Sequence, residues 1–346
     1  MKKQITTKNY VIRFFILLLS ITSIITGCTK NIEPISRTDF YFDTVIRITL
    51  YDTEDDSILD GCFALAEKYE NLFSATKEGT DVWNINHASG EAVTVSEETA
   101  ALLVTAVDFA NTTEGRIDPT IRPVSALWDF GSEGKAHLPE DTDIKEALSH
   151  VSYDTIRFGV GPSEETGEPV YNTVTLQDPE AAIDLGFIAK GYIADKMKEY
   201  LLSQGVESAC ISLGGNVITI GEKPDGSPFR IGIQEPFAPE GTVLDTVEVR
   251  DTSVVTSGIY ERYFYEGDTL YHHVLDTSTG YPVDNELASV TIICESSTKA
   301  DALSTSCLCM GLEKGRQYLD RENVEYLLIA KDGTQYASEN FPCSVG

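Results

Sequence analysis

From Phe40 to Tyr51 the chain reads FYFDTVIRITLY, a mostly alternating apolar and polar pattern that predicts a half-buried strand. Apolar positions then recur every three to four residues, at Ile58, Cys62, Leu65, Ala66, Tyr69 and Leu72/Phe73, which predicts a helix entered through Asp55-Asp56-Ser57. Residues 74–92 read as loop with a short ordered piece at 82–86, and a second helix runs from Ser96 to about Ala110. The stretch GRIDPTIRPVSALWDFG (115–131), with its prolines, aromatics and glycines, predicts an irregular segment suited to lining a pocket. A helix near 141–149 precedes a hairpin of strands at 155–160 and 170–176. A strand end at Ile183-Asp184 turns at Gly186 into a helix whose apolar side carries Ile188, Ile193, Met197 and Leu201. Strands follow on both sides of Gly214-Gly215-Asn216, at 229–234, at 246–250, and at 254–265 with an interruption at Ser257-Gly258. From His272 the chain passes a Gly-Tyr-Pro turn and a buried strand into a helix reaching about Asp320, and strands at 325–330 and 335–337 close it. With no internal repeat, no low-complexity linker, no regular β-α alternation and no GxGxxG, the pattern predicts a single α+β domain. Its sheet should be largely antiparallel, with helices packed on it.

The N-terminus changes where such a domain would work. Lys2, Lys3, Lys8 and Arg13 precede an apolar run from Phe14 to Ile25, the layout of a secretory signal. The run ends in Ile-Thr-Gly-Cys, which resembles the lipobox of bacterial lipoproteins and implies lipidation at Cys28. The expected organisation is a signal peptide over 1–27, a lipidated tether over 28–38 and a domain over 39–346, held by its lipid anchor on the extracytoplasmic face of the cell membrane. Residues 1–27 carry four positive charges and no negative one, so removing them takes the formal net charge from −29 to −33. A surface that acidic argues against nucleic acid as a partner. Cys62, Cys210, Cys294, Cys307 and Cys309 lie in apolar patterns without metal-ligand spacing and read as buried thiols.

The candidate chemistry is concentrated in two helices. Asp301 and Thr305, four residues apart, share a helix face and offer two oxygens to a hard cation such as Mg²⁺, although an ordinary polar helix face carries the same pair. The helix start after Gly186 directs free N–H groups outward, where a phosphate is favoured, and Lys190 adds a point charge; Asp184 serves equally as a simple cap. His273 and His272 point to opposite faces of a strand, so one of them at most meets any one site.

Seven segments occur in one order: FDT (42–44), DPTIRPVSALWDFG (118–131), DLGFIAKGYIAD (184–195), SLGGN (212–216), TSGIYERYF (256–264), HHVLDTSTGYP (272–282) and ADALST (300–305). Together they resemble the ApbE family of FAD:protein FMN transferases over nearly the whole chain after the signal. The resemblance implies that FAD is split at its pyrophosphate with Mg²⁺. FMN then passes to a Ser or Thr hydroxyl of a partner flavoprotein, in a Ser/Thr-Gly-Ala-Ser/Thr type of segment, and AMP leaves. It implies Mg²⁺ ligands at Asp301, Thr305 and the Phe187 carbonyl, with Ser304 a further contributor. FAD contacts are implied at Asp184 and Lys190, with Phe42, Thr76, Trp128, Asp129, Phe130 and Leu275 around the flavin pocket, and His273 is implied as the base. The chain departs from many relatives in having Phe42-Asp43-Thr44 for Met-Gly-Thr, and Thr76 where an aromatic residue is common. Two other readings use the same residues: hydrolysis of FAD to FMN and AMP, and a lipoprotein that binds FAD without turnover.

Overall fold

The first strand pattern folds as two strands, β1 (Ile35–Tyr41) and β2 (Thr44–Leu50), because Phe42 and Asp43 both adopt φ of +53° and turn the chain back on itself. That two-residue, doubly left-handed turn matches the natural twist of a hairpin. Residues 35–38, expected in the tether, are therefore strand. The computed structural model describes residues 32–130, 136–163 and 165–342. The expected signal and Cys28 lie outside them.

Helix α1 (Ser57–Phe73) buries the predicted stripe, and the short helix α2 (Asp81–Asn86) and strand β3 (Val93–Thr94) lead into α3 (Glu97–Thr112). The segment expected to be irregular contains the two-turn helix α4 (Arg122–Trp128), started by Pro123 at a position where its missing N–H costs nothing, and α5 (Asp141–Leu148) follows. Strands β4 (Ile156–Pro162) and β5 (Pro169–Leu176) form the predicted hairpin and take β3 as a third strand. Next come α6 (Ala189–Ser203), β6 (Ala209–Leu213), β7 (Asn216–Ile220), β8 (Phe229–Gln234), β9 (Val243–Val249) and β10 (Ser253–Gly258). The two-stranded ribbon β11 (Tyr263–Glu266) and β12 (Thr269–His272) is followed by β13 (Leu287–Cys294). A single final helix was expected, and the chain forms two, α7 (Ser297–Met310) and α8 (Leu312–Glu322), because Gly311 at φ +77° breaks the run. Strands β14 (Glu325–Ala330) and β15 (Gln335–Ala337) end the fold.

Eight strands form one sheet in the order β1-β2-β6-β7-β10-β13-β14-β15, with every neighbouring pair antiparallel, as the α+β reading predicts. Alternation sends Val255, Val290, Ile292 and Leu328 to a core with Leu303 and Cys307 of α7 and Leu319 of α8. Val254, Ile293, Leu327 and Ile329 face the opposite way, against Phe229, Ile233 and Val247 of the β8–β9 ribbon. Strand β13, covered on both faces, accordingly reads as an unbroken apolar and small-residue run with seven of its eight residues buried. A further cluster of Val124, Trp128, Ile144 and Leu275 joins α4 and α5 to the β11–β12 ribbon, whose Phe264 and Tyr271 pack against it.

Candidate active site

Two helices meet where the candidate residues lie. Asp195 of α6 accepts the backbone N–H groups of Ser297 (2.8 Å) and Thr298 (2.9 Å) and the hydroxyls of Ser296 (2.9 Å) and Thr298 (2.6 Å), so it caps α7 from the neighbouring helix. The contact is close because Gly191 is there: a Cβ on it would sit 2.3 Å from the Ser297 carbonyl oxygen and 2.8 Å from Asp301 Cβ. Gly191 N–H donates to Asp301 Oδ2 at 2.9 Å, and Lys190 Nζ lies 3.8 Å from Oδ1. One helix N–H expected to receive a phosphate therefore holds a carboxylate of the chain itself. Asp301 is 1% exposed, and burial pushes its carboxyl above the usual range while the Lys190 charge and the Gly191 N–H oppose the rise. A carboxylate in that position gains from a cation.

The Gly191 bond has a second effect. In a regular helix that N–H would bind the Phe187 carbonyl four residues back, so its capture by Asp301 leaves the Phe187 oxygen to the site. Thr305 completes the set through a chain of hydroxyls. Ser304 Oγ donates to the Asp301 carbonyl (2.9 Å), so it accepts from Ser257 Oγ (2.7 Å), which in turn accepts from Thr305 Oγ1 (3.2 Å). The Thr305 oxygen thus keeps its lone pairs for the cavity. Ser304 is buried, lies outside the cavity wall and holds Ser257 through this chain.

These residues suit Mg²⁺. Among the described residues no cluster of three His, Cys, Asp or Glu could hold a metal. One carboxylate, one hydroxyl and one carbonyl is a donor set for an ion that takes its remaining ligands from water and substrate phosphate. Asn216 adds to the fit. It is 1% exposed and lies in the cavity wall with its side-chain amide turned to the Asp301 carboxylate, whose pKa it helps to hold down, and its Oδ1 has no hydrogen-bond partner among the described residues. A carbonyl oxygen buried in this way costs roughly 1–3 kcal/mol unless a water or a ligand donor satisfies it.

The cavity measures about 720 Å³ and runs from this helix pair past α4 to the β2 hairpin turn. Asp184, Lys190, Phe187, Asp301, Thr305, His273, Phe42, Thr76, Phe130 and Leu275 all line it. Asp184 is held by Ser125 Oγ (3.1 Å) and Gly186 N–H (2.9 Å), with Arg122 Nη1 at 3.9 Å. Trp128 and Asp129 do not reach the cavity. Trp128 is fully buried behind Phe130, its ring 5.8 Å away and its Nε1–H donated to the Gly280 carbonyl (2.9 Å), while Asp129 ends α4 at φ +50°. The flavin-lining role expected of Trp128 thus becomes support of the wall.

His273 Nδ1 lies 3.3 Å from the Arg262 carbonyl, which can only accept, so the proton resides on Nδ1 and Nε2 keeps its lone pair. Burial, with the Arg262 charge, pushes this imidazole down to about 3, so it is neutral at physiological pH. His272 faces away from the cavity, its Nε2–H donated to the Val283 carbonyl at 3.2 Å. Ser257, Asn216, Arg122 and Arg262 are site residues that the chemical reading passed over. Ser257, Asn216 and Arg122 stood inside segments already singled out, next to glycines or a proline, which was the available signal.

Fold and site together place a buried carboxylate, a hydroxyl, a lysine and a neutral imidazole on one cleft, groups suited to an enzyme that handles a phosphate-bearing substrate. The ApbE family model matches residues 42–328, and the chain belongs to this family. It is 36% identical over 289 residues to an FAD:protein FMN transferase of Klebsiella pneumoniae (strain 342), spanning 83% of this chain and 86% of the relative. A second FAD:protein FMN transferase, of Treponema pallidum (strain Nichols), is 32% identical over 326 residues, 90% of this chain and 89% of that protein. The fold matches the crystal structure of the ApbE protein of Thermotoga maritima MSB8 with a TM-score of 0.79 at 33% identity, over 89% of this chain and 97% of the other. It matches the flavin transferase ApbE of Vibrio cholerae with a TM-score of 0.78 at 28% identity, over 89% and 98%.

Proposed function

We propose that this chain transfers FMN from FAD to a Ser or Thr hydroxyl of an exported or membrane flavoprotein, with Mg²⁺, while anchored by lipid at Cys28 outside the cytoplasm. The observation that carries the reading is the convergence of Asp301, Thr305, the released Phe187 carbonyl, Lys190 and His273 on one cavity. A bound Mg²⁺, held by the first three, would supply neutralisation of the diphosphate charge. Lys190 places a positive charge beside the same position, and Asn216 Oδ1 is open to a water or a ligand donor there. The acceptor oxygen forms a bond to the FMN phosphorus as the bond from that phosphorus to the AMP oxygen breaks. The hydroxyl proton passes to His273 Nε2, whose tautomer the Arg262 carbonyl fixes. The products are a protein–FMN phosphodiester and AMP.

The test uses protein beginning after Cys28, incubated with FAD, Mg²⁺ and a reporter carrying a Ser/Thr-Gly-Ala-Ser/Thr segment. Mass spectrometry should show the reporter gaining FMN with matching AMP, and EDTA should abolish both. Free FMN and AMP with an unmodified reporter would establish hydrolysis instead, and intact FAD would establish a binding protein. Asp301→Ala should lose transfer by more than about a hundredfold while remaining folded; full activity would remove Asp301 from the metal site. His273→Ala should keep FAD binding and lose transfer, and normal kinetics would dismiss His273 as the base. In cells, Cys28→Ala should move the protein out of the membrane fraction, and unchanged fractionation would sink the anchor.

A further inference from the structure

The β11–β12 ribbon stands apart from the main sheet, and β11 pairs only with β12 among the described residues. Its other edge is open. The margins of the eight-stranded sheet are guarded in the usual ways: β1 carries Arg37 in ion pairs with Asp56 and Asp60, and β15 is only three residues long. Strand β11 is itself only four residues long, but none of its side chains forms an ion pair among the described residues. It reads Tyr-Phe-Tyr-Glu, and its aromatic residues divide by face. Phe264 turns inward onto Phe130 (5.7 Å) and Tyr271 (5.4 Å), behind the cavity wall. Tyr263 and Tyr265 turn outward, 41% and 59% exposed, with their rings edge to face at 5.8 Å. Phe237, 40% exposed, extends the ridge at 5.8 Å from Tyr263.

The backbone register adds what the exposure alone does not. His273 N–H donates to the Arg262 carbonyl at 3.1 Å, so the ladder continues one pair beyond β11 into the cavity wall, where Arg262 and His273 both lie. With Arg262 and His273 a hydrogen-bonded pair, alternation makes Phe264 and Tyr271 the next one. The N–H and C=O groups of Tyr263 and Tyr265 therefore point away from β12, along the open edge. The two residues whose side chains are exposed are also those whose backbone is available, and the edge leads to His273.

We propose that the acceptor flavoprotein docks here, laying its hydroxyl-bearing segment in an extended conformation along the free edge of β11, over the ridge of Tyr263, Tyr265 and Phe237. This rests on the transferase reading above. A strand added at the usual spacing of about 4.8 Å exchanges main-chain hydrogen bonds with Tyr263 and Tyr265. Its alternate side chains meet the tyrosine rings, and the end at Arg262 enters the cavity mouth, which brings a hydroxyl within reach of His273 Nε2. Small residues around the hydroxyl let the chain pass close to the rings. Such a mode places sequence recognition on the ribbon and leaves the nucleotide to the cavity.

Hydrogen exchange tests the docking without requiring turnover. The probe is the reporter with its acceptor Ser/Thr changed to Ala, added in excess to enzyme loaded with FAD and Mg²⁺. Protection of the Tyr263 and Tyr265 amides is expected. Protection confined to other elements, or protection of β11 by phosphatidylcholine vesicles or by concentrating the enzyme and not by the reporter, would overturn the proposal. In the transfer reaction, Tyr263→Ser/Tyr265→Ser should raise the KM for the reporter by about tenfold or more while the FAD dissociation constant stays within about twofold. Tyr265→Pro removes one outward N–H and none that faces β12, so it should act in the same direction with the ribbon intact. An unchanged reporter KM in both variants refutes docking on this edge. Protection of β11 by a reporter that the wild type never flavinylates would instead leave the docking standing and refute the transferase reading.

Discussion

At the residue scale, Asp301 and Thr305 are set by a turn of helix, but their chemistry is set by neighbours. Ser257 orients the Thr305 hydroxyl and Asn216 stands beside the carboxylate, so Ser257→Ala and Asn216→Ala should each weaken Mg²⁺ binding about 10-fold or more. Titration calorimetry with Mg²⁺ and FAD checks this; unchanged affinity in both would show that the two side chains do not serve the ion. The i, i+4 spacing was visible in the chain, whereas Ser257 and Asn216 reach the site from β10 and β7, and no local pattern announces such a meeting. His272 makes a second, independent prediction. Burial, with Lys331 nearby, pushes its pKa down from 6.5 to about 4. Between those values the unfolded chain takes up a proton that the folded chain refuses, so stability falls as pH drops below 6.5, by up to about 1.4 kcal/mol per pH unit for this group. Urea unfolding from pH 7 to 5 should show a shallower loss in His272→Phe than in the wild type; equal slopes would mean that His272 titrates normally.

At the element scale, the active site depends on the register between α6 and α7. Asp195 sets it with four hydrogen bonds to the start of α7, and Gly191 permits the approach. Asp195→Ala should cost about 2–3 kcal/mol in urea unfolding, the range for hydrogen bonds to a charged group, and should also weaken Mg²⁺ binding because α7 carries Asp301. A stable variant with impaired binding would show that the cap orients α7 without stabilising it, and no effect on either would remove it from both roles. The long periodic elements α1, α3, α6 and β13 were legible from their patterns. The misread ones turn on single residues: Phe42 and Asp43 split a strand, Gly311 splits a helix, and Pro123 starts a helix inside a segment that looked irregular. In each case a backbone angle at one or two positions outweighs the hydrophobic period on either side.

At the scale of the whole molecule, residues from Pro34 onward form one compact unit built on a continuous sheet. Protein beginning after Cys28 should therefore unfold in a single thermal transition. FAD with Mg²⁺ at about a hundred times its dissociation constant should stabilise it by about 2.7 kcal/mol, an effect that EDTA removes. Two separated transitions in calorimetry would contradict the single unit. The chain by itself determined the elements with clear periodicity, the antiparallel α+β class, and the pairing of Asp301 with Thr305, because a helical turn and a strand's alternation are local relations between neighbours. The tertiary structure alone decided that Asp301 takes an N–H from α6 and releases the Phe187 carbonyl, that Trp128 supports the wall and does not line it, that Ser304 serves Ser257, and that β11 keeps an open edge. Those outcomes depend on which distant groups share a desolvated space and which backbone groups find partners, and both are settled only when the elements pack.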